Sequence, residues 1–477
     1  VKARTTLALG LLLALGAATA QAQQASSGEA IRAGRAAMAA GQPARARDLF
    51  AQALAQSQGH PADGYAAAIG LGRAALWLGD MGQAERAFRQ AGTLAADDGQ
   101  RRTADAGLAQ ALNARDFPRQ AWALVAPGAA GAAGDARATL ELMRAAQALG
   151  WQDRALPALA ATPAPDDTGY LGTQFHLLAD DMRYATAARV ETSASYSHDS
   201  ENLDSWSVGA SALSPLHGHA SGSQRWGVAA ETTRLDDERG TRHLQNLSGL
   251  AQLRIGDAKN LDLRLGAGQA AHWHYLQGDA RWSWQPDDRY GISIAAARAP
   301  LLTTTAVSRH IAYATYSVGA TLRPAASLYL LPTLYRQAFT DGNRRDGGSL
   351  RLVLSPVDLG TAPVALGAQA ALRMFRSSQP GGGAYFNPDH YRAVTAGLTA
   401  VARISAGWRL RAVADGGRQR ADGSEVGVYS ANVTLEGRLP HNGRLQVQAL
   451  RSSAASLSNG GAGYWDNSLT VSLGFPL

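Results

Sequence analysis

The chain has 477 residues, too many for one ordinary domain and enough for two or three. It contains no cysteine, which excludes disulfide scaffolds, zinc ribbons, thiol enzymes and thiolate-held iron–sulfur clusters. Charged residues make up only 17%, glycines number 52 and the formal net charge is +7, a balance that fits neither a helical membrane protein nor a typical enzyme. Lys2 and Lys259 are the only lysines, so the basic excess is almost all arginine. No basic stripe interleaves with aromatics, and nucleic acid is not an expected partner.

The amino terminus reads as a secretory leader over residues 1–22. Lys2 and Arg4 form a short basic region, Leu7 to Ala20 is apolar and small, and Ala20-Gln21-Ala22 supplies an A-x-A cleavage signal.

Residues 23–165 are alanine-rich with helical periodicity and repeat themselves. Gly41-Gln42 is followed by Ala46 and Phe50, and Gly79-Asp80 by Ala84 and Phe88. Gly34 and Gly72 stand at matching positions upstream. Arg115-Asp116 with Ala121, and Gly150 with Ala155 and Leu159, read as two degenerate copies. The pattern resembles the tetratricopeptide (TPR) repeat, in which small residues meet where two helices touch and an aromatic fills the second helix. Gly34, Ala46, Phe50, Gly72, Ala84 and Phe88 are its expected packing positions. Stacked helix pairs bury their apolar stripes and leave a concave face for a protein partner. Pro163 and Pro165 close this part, and residues 166–182 are expected as the connection.

From residue 183 to 477 the period changes to two. Leu261-Asp-Leu-Arg-Leu265, Val433-Thr-Leu-Glu436 and Leu445-Gln-Val-Gln448 alternate apolar with polar side chains, giving each strand one face of each kind. Sixteen strands are predicted, over 185–197, 206–215, 225–234, 242–255, 261–273, 278–285, 290–301, 311–323, 328–339, 349–355, 364–376, 393–404, 408–415, 426–439, 443–451 and 465–477. Connections after even strands are mostly tight. After odd strands most are long: 302–310, 340–348, 377–392, 416–425 and 452–464. Short turns at one end and long loops at the other are the pattern of an outer-membrane barrel, and an even count puts both chain ends on the short-turn, periplasmic side. Trp273, Trp282, Trp284 and Tyr316 fall on the apolar phase near strand ends, as interfacial girdle residues do. Leu469, Val471, Leu473, Phe475 and Leu477 alternate at the C-terminus like the recognition strand that barrel assembly machinery reads. The expected fold class is therefore α+β multidomain: an N-terminal all-α TPR-like solenoid followed by an antiparallel transmembrane β-barrel of about sixteen strands, in contact with outer-membrane lipid.

The opposite phase points Asp262, Arg264, His272, His274, Arg281, Arg409, Arg411, Glu436, Arg438, Gln446 and Gln448 into the lumen. Two readings stand: a cationic track for a polar or anionic polymer, or mixed charges that satisfy one another. His272 and His274 share a strand face that a metal uses elsewhere, but with no carboxylate beside them they read as solvated. No nucleophile elbow, P-loop, zincin or dinucleotide fingerprint occurs, so no enzyme, cofactor or metal site is expected.

Leader, repeats and barrel together resemble outer-membrane exopolysaccharide exporters, of the cellulose-synthase-operon and poly-N-acetylglucosamine porin types. At motif level, the run from Gly382 through Tyr385, Phe386 and Pro388 to Tyr391 resembles a tyrosine–phenylalanine–x–proline loop before a late strand of the cellulose-type barrel. Phe339-Thr-Asp-Gly-Asn-Arg-Arg345 resembles a second barrel-loop signature. The resemblance implies a passive conduit for a polysaccharide or other exported polymer. Its expected path residues are Tyr385, Phe386, Tyr391 and Arg392 in the longest loop, Arg344 and Arg345 beside it, and the lumenal Arg264, Arg281, Arg409, Arg411 and Arg438. The repeats number about four, against many more in those exporters, so they are expected to dock a periplasmic protein rather than span to a synthase. Two other functions remain open: a surface-lipoprotein assembly or translocation barrel, and an outer-membrane receptor or adhesin of the phage-adsorption type.

Overall fold

The computed structural model describes residues 27–129, 135–166, 169–219, 222–358, 364–381 and 383–477; the expected leader lies outside them. The chain divides into two compact units. The first holds the helices up to Leu178 except Gln152–Arg154, and the second holds those three residues and everything from Ala179.

Helices α1 (27–39), α2 (Pro43–Gln56), α3 (Pro61–Trp77), α4 (Met81–Leu94), α5 (Asp98–Ala114), α6 (Pro118–Ala129), α7 (Ala136–Leu149) and α8 (Gln152–Ala161) run as successive hairpins. Their starts carry ordinary signals. Pro43 and Pro61 occupy the first turn, where a missing N–H costs nothing, and the carboxylates of Asp80 and Asp97 accept from the backbone N–H of Gln83 and Gln100 at 2.9 and 2.7 Å. The four turns inside the hairpins each place a residue at positive φ: Gly41, Gly79, Asp116 and Gly150. At the same offset beyond each turn, Ala46, Ala84, Ala121 and Ala155 are completely buried. Further along, Phe50, Phe88, Val125 and Leu159 take equivalent buried positions. The two phenyl rings explain the glycines. A Cβ added at Gly34 or Gly70 would stand 2.8 or 2.4 Å from the Phe50 ring, and one at Gly72 or Gly107 would stand 2.7 or 2.4 Å from Phe88. The expected connection, 166–182, is largely taken up by helix α9 (Tyr170–Thr186), with Phe175, Leu178 and Met182 buried.

The second unit is a closed antiparallel barrel. Its sixteen wall strands are β1 (Arg189–Asp199), β2 (Asp204–Leu213), β3 (Gly222–Asp237), β4 (Gly240–Ile255), β5 (Lys259–Ala270), β6 (Trp273–Trp284), β7 (Tyr290–Pro300), β8 (Ala312–Ala325), β9 (Leu328–Phe339), β10 (Arg344–Asp358), β11 (Val364–Ser377), β12 (His390–Ser405), β13 (Trp408–Ala421), β14 (Ser424–Arg438), β15 (Arg444–Ser452) and β16 (Asp466–Pro476). A three-residue strand, His217–His219, pairs only with the start of β3. Each wall strand pairs with its sequence neighbours, and β1 closes the circle against β16 with Arg189 opposite Pro476 and Asp199 opposite Asp466. Closure leaves no sheet edge, the condition for β-structure to survive in lipid.

Period-two alternation puts Trp206, Val228, Leu247, Leu265, Leu276, Ile294, Leu334, Leu398 and Leu469 outward, each at least 46% exposed, a band that a bilayer covers. Trp282, Trp284 and Tyr316 share that phase. Trp273 does not. It lies on the inward phase with Tyr275 and stacks on His310 at 5.4 Å, so it serves the mouth rather than a girdle.

The alternation of turn length is only partly as expected. The region 416–425 is not a loop: β13 runs to Ala421, and Asp422 and Gly423, with φ of 48° and 93°, turn the chain directly into β14. Two adjacent positive φ values are what a tight hairpin needs to match strand twist. Strands β3–β4 and β5–β6 also meet in two-residue turns at this end, and 340–348 shrinks to a turn at 340–343 because β10 begins at Arg344. Three long connections remain, 301–311, 378–389 and 453–465, all at the same end of the barrel.

Candidate gate at the long-loop mouth

The three long connections fold inward and interlock. The first contains the short helix α10 (Thr304–Ser308), capped by the Thr303 hydroxyl accepting from Ala306 N–H at 3.0 Å. One side of α10 engages the wall: Val307 enters a cluster with Leu235, Leu244, Ala270 and Tyr275, Arg242 Nε donates to Ser308 Oγ at 2.8 Å, and the Thr304 hydroxyl bonds Asp237. The other side engages the second loop. Thr303 Oγ1 donates to the Ala384 carbonyl at 2.7 Å, and Leu301, Ala306 and Ile311 pack with Phe339, Ala384 and Tyr385. The second loop holds the third through Phe386 N–H donating to Ser458 O at 2.9 Å. The third loop is tied to the neighbouring strand end, with Asn459 on the Asp199 carboxylate and Ser200 N–H donating to Trp465 O at 2.9 Å. The contacts therefore run without a break from β3 and β4 through the three long loops to β1, which lies beside β2 and so near β3 in the closed circle.

Beneath this lid the wall strands β9 to β13 present an aromatic and polar cluster. Phe339 stacks on Tyr385, and Phe375 on Tyr391, both with ring centroids 4.7 Å apart. Arg345 is fully buried. Its guanidinium lies 4.2 Å from the Phe375 ring centroid and donates from Nη2 to the Phe386 carbonyl at 2.6 Å. Asn343, from the 340–343 turn, donates to Tyr385 Oη and to Asn387 Oδ1, both at 2.9 Å, while the Tyr385 hydroxyl donates to Asp341 at 3.0 Å. Burial holds the Tyr385 phenol above its ordinary range, so it stays the donor in this bond. Burial pushes Tyr464, in the third loop, up to about 12. Among the described residues, four buried side-chain polar atoms in this region have no hydrogen-bond partner: Tyr335 Oη, Arg345 Nε, Ser377 Oγ and Gln419 Nε2. Each is a latent donor or acceptor that becomes available if the loop above it lifts.

The candidate residues separate into groups. Tyr385, Phe386, Tyr391 and Arg345 converge in the lid cluster. Arg344 and Arg392 do not: they share the outward phase of their strands with Leu350 and Val394, and Arg344 pairs with Asp346 at 3.3 Å on the outer wall. The one-residue offset between Arg344 and Arg345, and between Tyr391 and Arg392, sends the members of each pair to opposite faces. Farther down the wall Arg264, Arg281, Arg409, Arg411 and Arg438 take the inward phase. Arg264 approaches Glu231 at 3.6 Å, Arg281 stands opposite Asp262, Arg409 pairs with Glu436, and Arg438 meets Asp181 of α9 at 2.8 Å. Arg411 faces Thr434. Lumenal charge is thus largely compensated locally. His272 sits in a two-residue turn and His274 on the outward phase with Leu276, so neither enters the lumen.

Sequence reasoning missed Asn343, Asn387, Tyr335, Gln419 and Thr303. Thr303 carried a local signal, a hydroxyl placed to cap a short helix, and Asn343 and Asn387 lay inside the two loop runs; Tyr335 and Gln419, and the bond between Asn343 and Asn387, depend on partners distant in sequence.

This barrel has the fold of an outer-membrane β-barrel protein. It is similar to a bacterial polysaccharide outer membrane secretin, with a TM-score of 0.50 and 11% identity over 61% of this chain and 99% of that one. Lesser similarity links it to Pseudomonas aeruginosa OccD3 (TM-score 0.36, 10% identity, 61% of this chain and 91% of that chain). It also links it to CdiB from Acinetobacter baumannii (TM-score 0.37, 10% identity, 61% and 60%). No family profile matches the sequence, and no curated protein does.

Proposed function

We propose that the protein is a lid-gated outer-membrane conduit for a polysaccharide, working passively, with its N-terminal helical repeats in the periplasm docking a protein partner. The observation that carries this reading is the interlocked lid over a cluster of stacked aromatics, arginines and unpartnered polar atoms. Aromatic faces pack against sugar rings, and Arg345, Gln419, Tyr335 and Ser377 offer hydrogen bonds to hydroxyls once Phe386 and Tyr385 swing away. Lower in the lumen, locally compensated charges suit a neutral or weakly charged polymer better than a strongly anionic one, because little net field is left to hold it. The fold shared with a polysaccharide secretin supports the choice of polymer. The four-fold hairpin pattern supports a TPR-type docking surface.

The native chain lacks cysteine, which permits a clean test. Phe386 and Ser458 are backbone-bonded across two loops. A Phe386→Cys/Ser458→Cys variant is expected to stop polysaccharide release under oxidising conditions and restore it on reduction. A deletion strain is expected to accumulate polymer in the periplasm while surface lipoproteins remain displayed. Loss of surface lipoproteins with unchanged polysaccharide would instead establish a lipoprotein-assembly role.

A further inference from the structure

The outward face of β9–β13 carries a feature that polymer passage does not use. Gly348 faces outward on β10, between Leu334 of β9 and Met374 of β11. Its missing side chain opens a groove of about 640 Å³ in the wall, whose apolar floor is formed by Pro332, Leu334, Leu350, Leu372 and Met374. Toward the long-loop end the lining becomes charged, with Arg376, His390, Arg392 and Arg420. Arg392 and Arg420 stand directly opposite each other in register, and His390 stands opposite Arg376. Like charges directly opposed on one sheet face destabilise it unless something neutralises them.

The nearby carboxylates are otherwise engaged: Glu425, opposite Arg420 in register, takes Arg418 at 2.8 Å. Asp346 is held by Arg336 at 2.6 Å and by Arg344. Asp422 accepts from the backbone N–H groups of Asp389 and His390 at 3.1 and 2.8 Å. Asp389 takes Arg376 at 3.6 Å and His390 at 3.1 Å. Among the described residues Arg392 and Arg420 form no ion pair.

We propose that this groove binds a phosphorylated, multi-chain acyl lipid of the outer leaflet, with acyl chains on the Leu334–Leu350–Met374 floor and phosphate between Arg392 and Arg420. Two planar guanidinium groups side by side match a phosphate, which accepts paired N–H donors from each and removes their mutual repulsion. An apolar floor continuous with the lipid-facing band selects a lipid over a soluble anion. The assignment places the long-loop end at the outer leaflet and is independent of what passes through the lumen.

The test uses the full-length barrel in detergent, with native mass spectrometry counting bound lipid. The probes are a bisphosphorylated, six-chain glucosamine-disaccharide lipid and its dephosphorylated counterpart. Expected are one tightly retained phosphorylated lipid, at least tenfold weaker retention of the dephosphorylated form, and a similar tenfold loss in Arg392→Gln/Arg420→Gln. Gly348→Phe, which fills the groove without altering charge, is expected to lose the lipid too. Arg298→Gln, an outward arginine on β7, is expected to retain it. Heat-modifiable electrophoretic migration confirms folding; if Gly348→Phe does not fold, the arginine variant decides. Equal binding of both lipids, no loss in the arginine variant, or displacement of the lipid by millimolar inorganic phosphate would overturn the assignment.

Discussion

Phe50 and Phe88 show how single side chains set the helical repeat. Each ring occupies space that two glycines leave open, so a larger residue there has no room. Gly72→Leu and Ala84→Trp are expected to overpack the hairpin and cost about 1–3 kcal/mol, lowering the helical melting transition at 222 nm and abolishing partner docking. Heat-modifiable migration of the barrel should be unchanged; a failure of barrel insertion would show that the helical unit is not independent. Glu141 is a second sensitive residue. Its carboxyl is almost wholly buried, and burial raises its pKa even though Arg144 and Asn113 bond to it. The folded state therefore holds this proton more tightly than the unfolded state, and stability falls as pH rises from the ordinary carboxylate range through the raised value. Helical melting temperature should decline across that window, and Glu141→Gln should flatten the decline. An identical slope in the variant would assign the effect elsewhere.

At the scale of elements, the lid is three loops that depend on one another. The middle loop contributes Tyr385 and Phe386, touches both others, and is held from below by Asn343 and Arg345. Deleting residues 380–390 removes together the contacts that Ala384 makes with Thr303, Phe386 with Ser458 and Asn387 with Asn343. The expected result is a larger single-channel conductance in planar bilayers with the barrel still folded, since the wall strands pair without the loop. Unchanged conductance from a folded barrel would mean that the first and third loops close the mouth unaided. The loop's aromatic run was legible as something other than a solvated surface, because exposed loops seldom concentrate Tyr385, Phe386 and Tyr391. Its partners were not, because Asn343, Ser458 and Thr303 reach it from distant parts of the chain.

For the whole molecule, an even number of wall strands places Arg189 and Pro476 at one end and the three long loops at the other. If that long-loop end faces outward, an epitope inserted at Asp341-Gly342 or Asp422-Gly423 should be labelled on intact cells. One at Ala406-Gly407 should be labelled only after permeabilisation. The reverse pattern would invert the proposed orientation, and with it the placement of the lipid groove in the outer leaflet.

The sequence by itself determined the two architectures and nearly every wall strand, because both are written in short-range periodicity: alanine and glycine at helical spacing, then strict alternation. Strand β9 matches its expected span, 328–339, to the residue. The Asp422-Gly423 hairpin was also written locally, in a dipeptide that favours positive φ, but the alternation on either side is weakened by Gly416, Gly417 and Gly427, which add no side chain to either face. Alternation by itself put Arg264, Arg281, Arg409, Arg411 and Arg438 on the inward phase, but tertiary structure alone decided which residues at the loop ends face inward. Arg344 and Arg345, or Tyr391 and Arg392, are neighbours in sequence, and only the pairing register sends one of each pair inward. It alone decided that three loops close into one lid, since loop closure depends on where barrel curvature brings their ends. It alone produced the outer groove, where Gly348, Met374, Arg392 and Arg420 come from four strands and share a face only because those strands lie side by side in register.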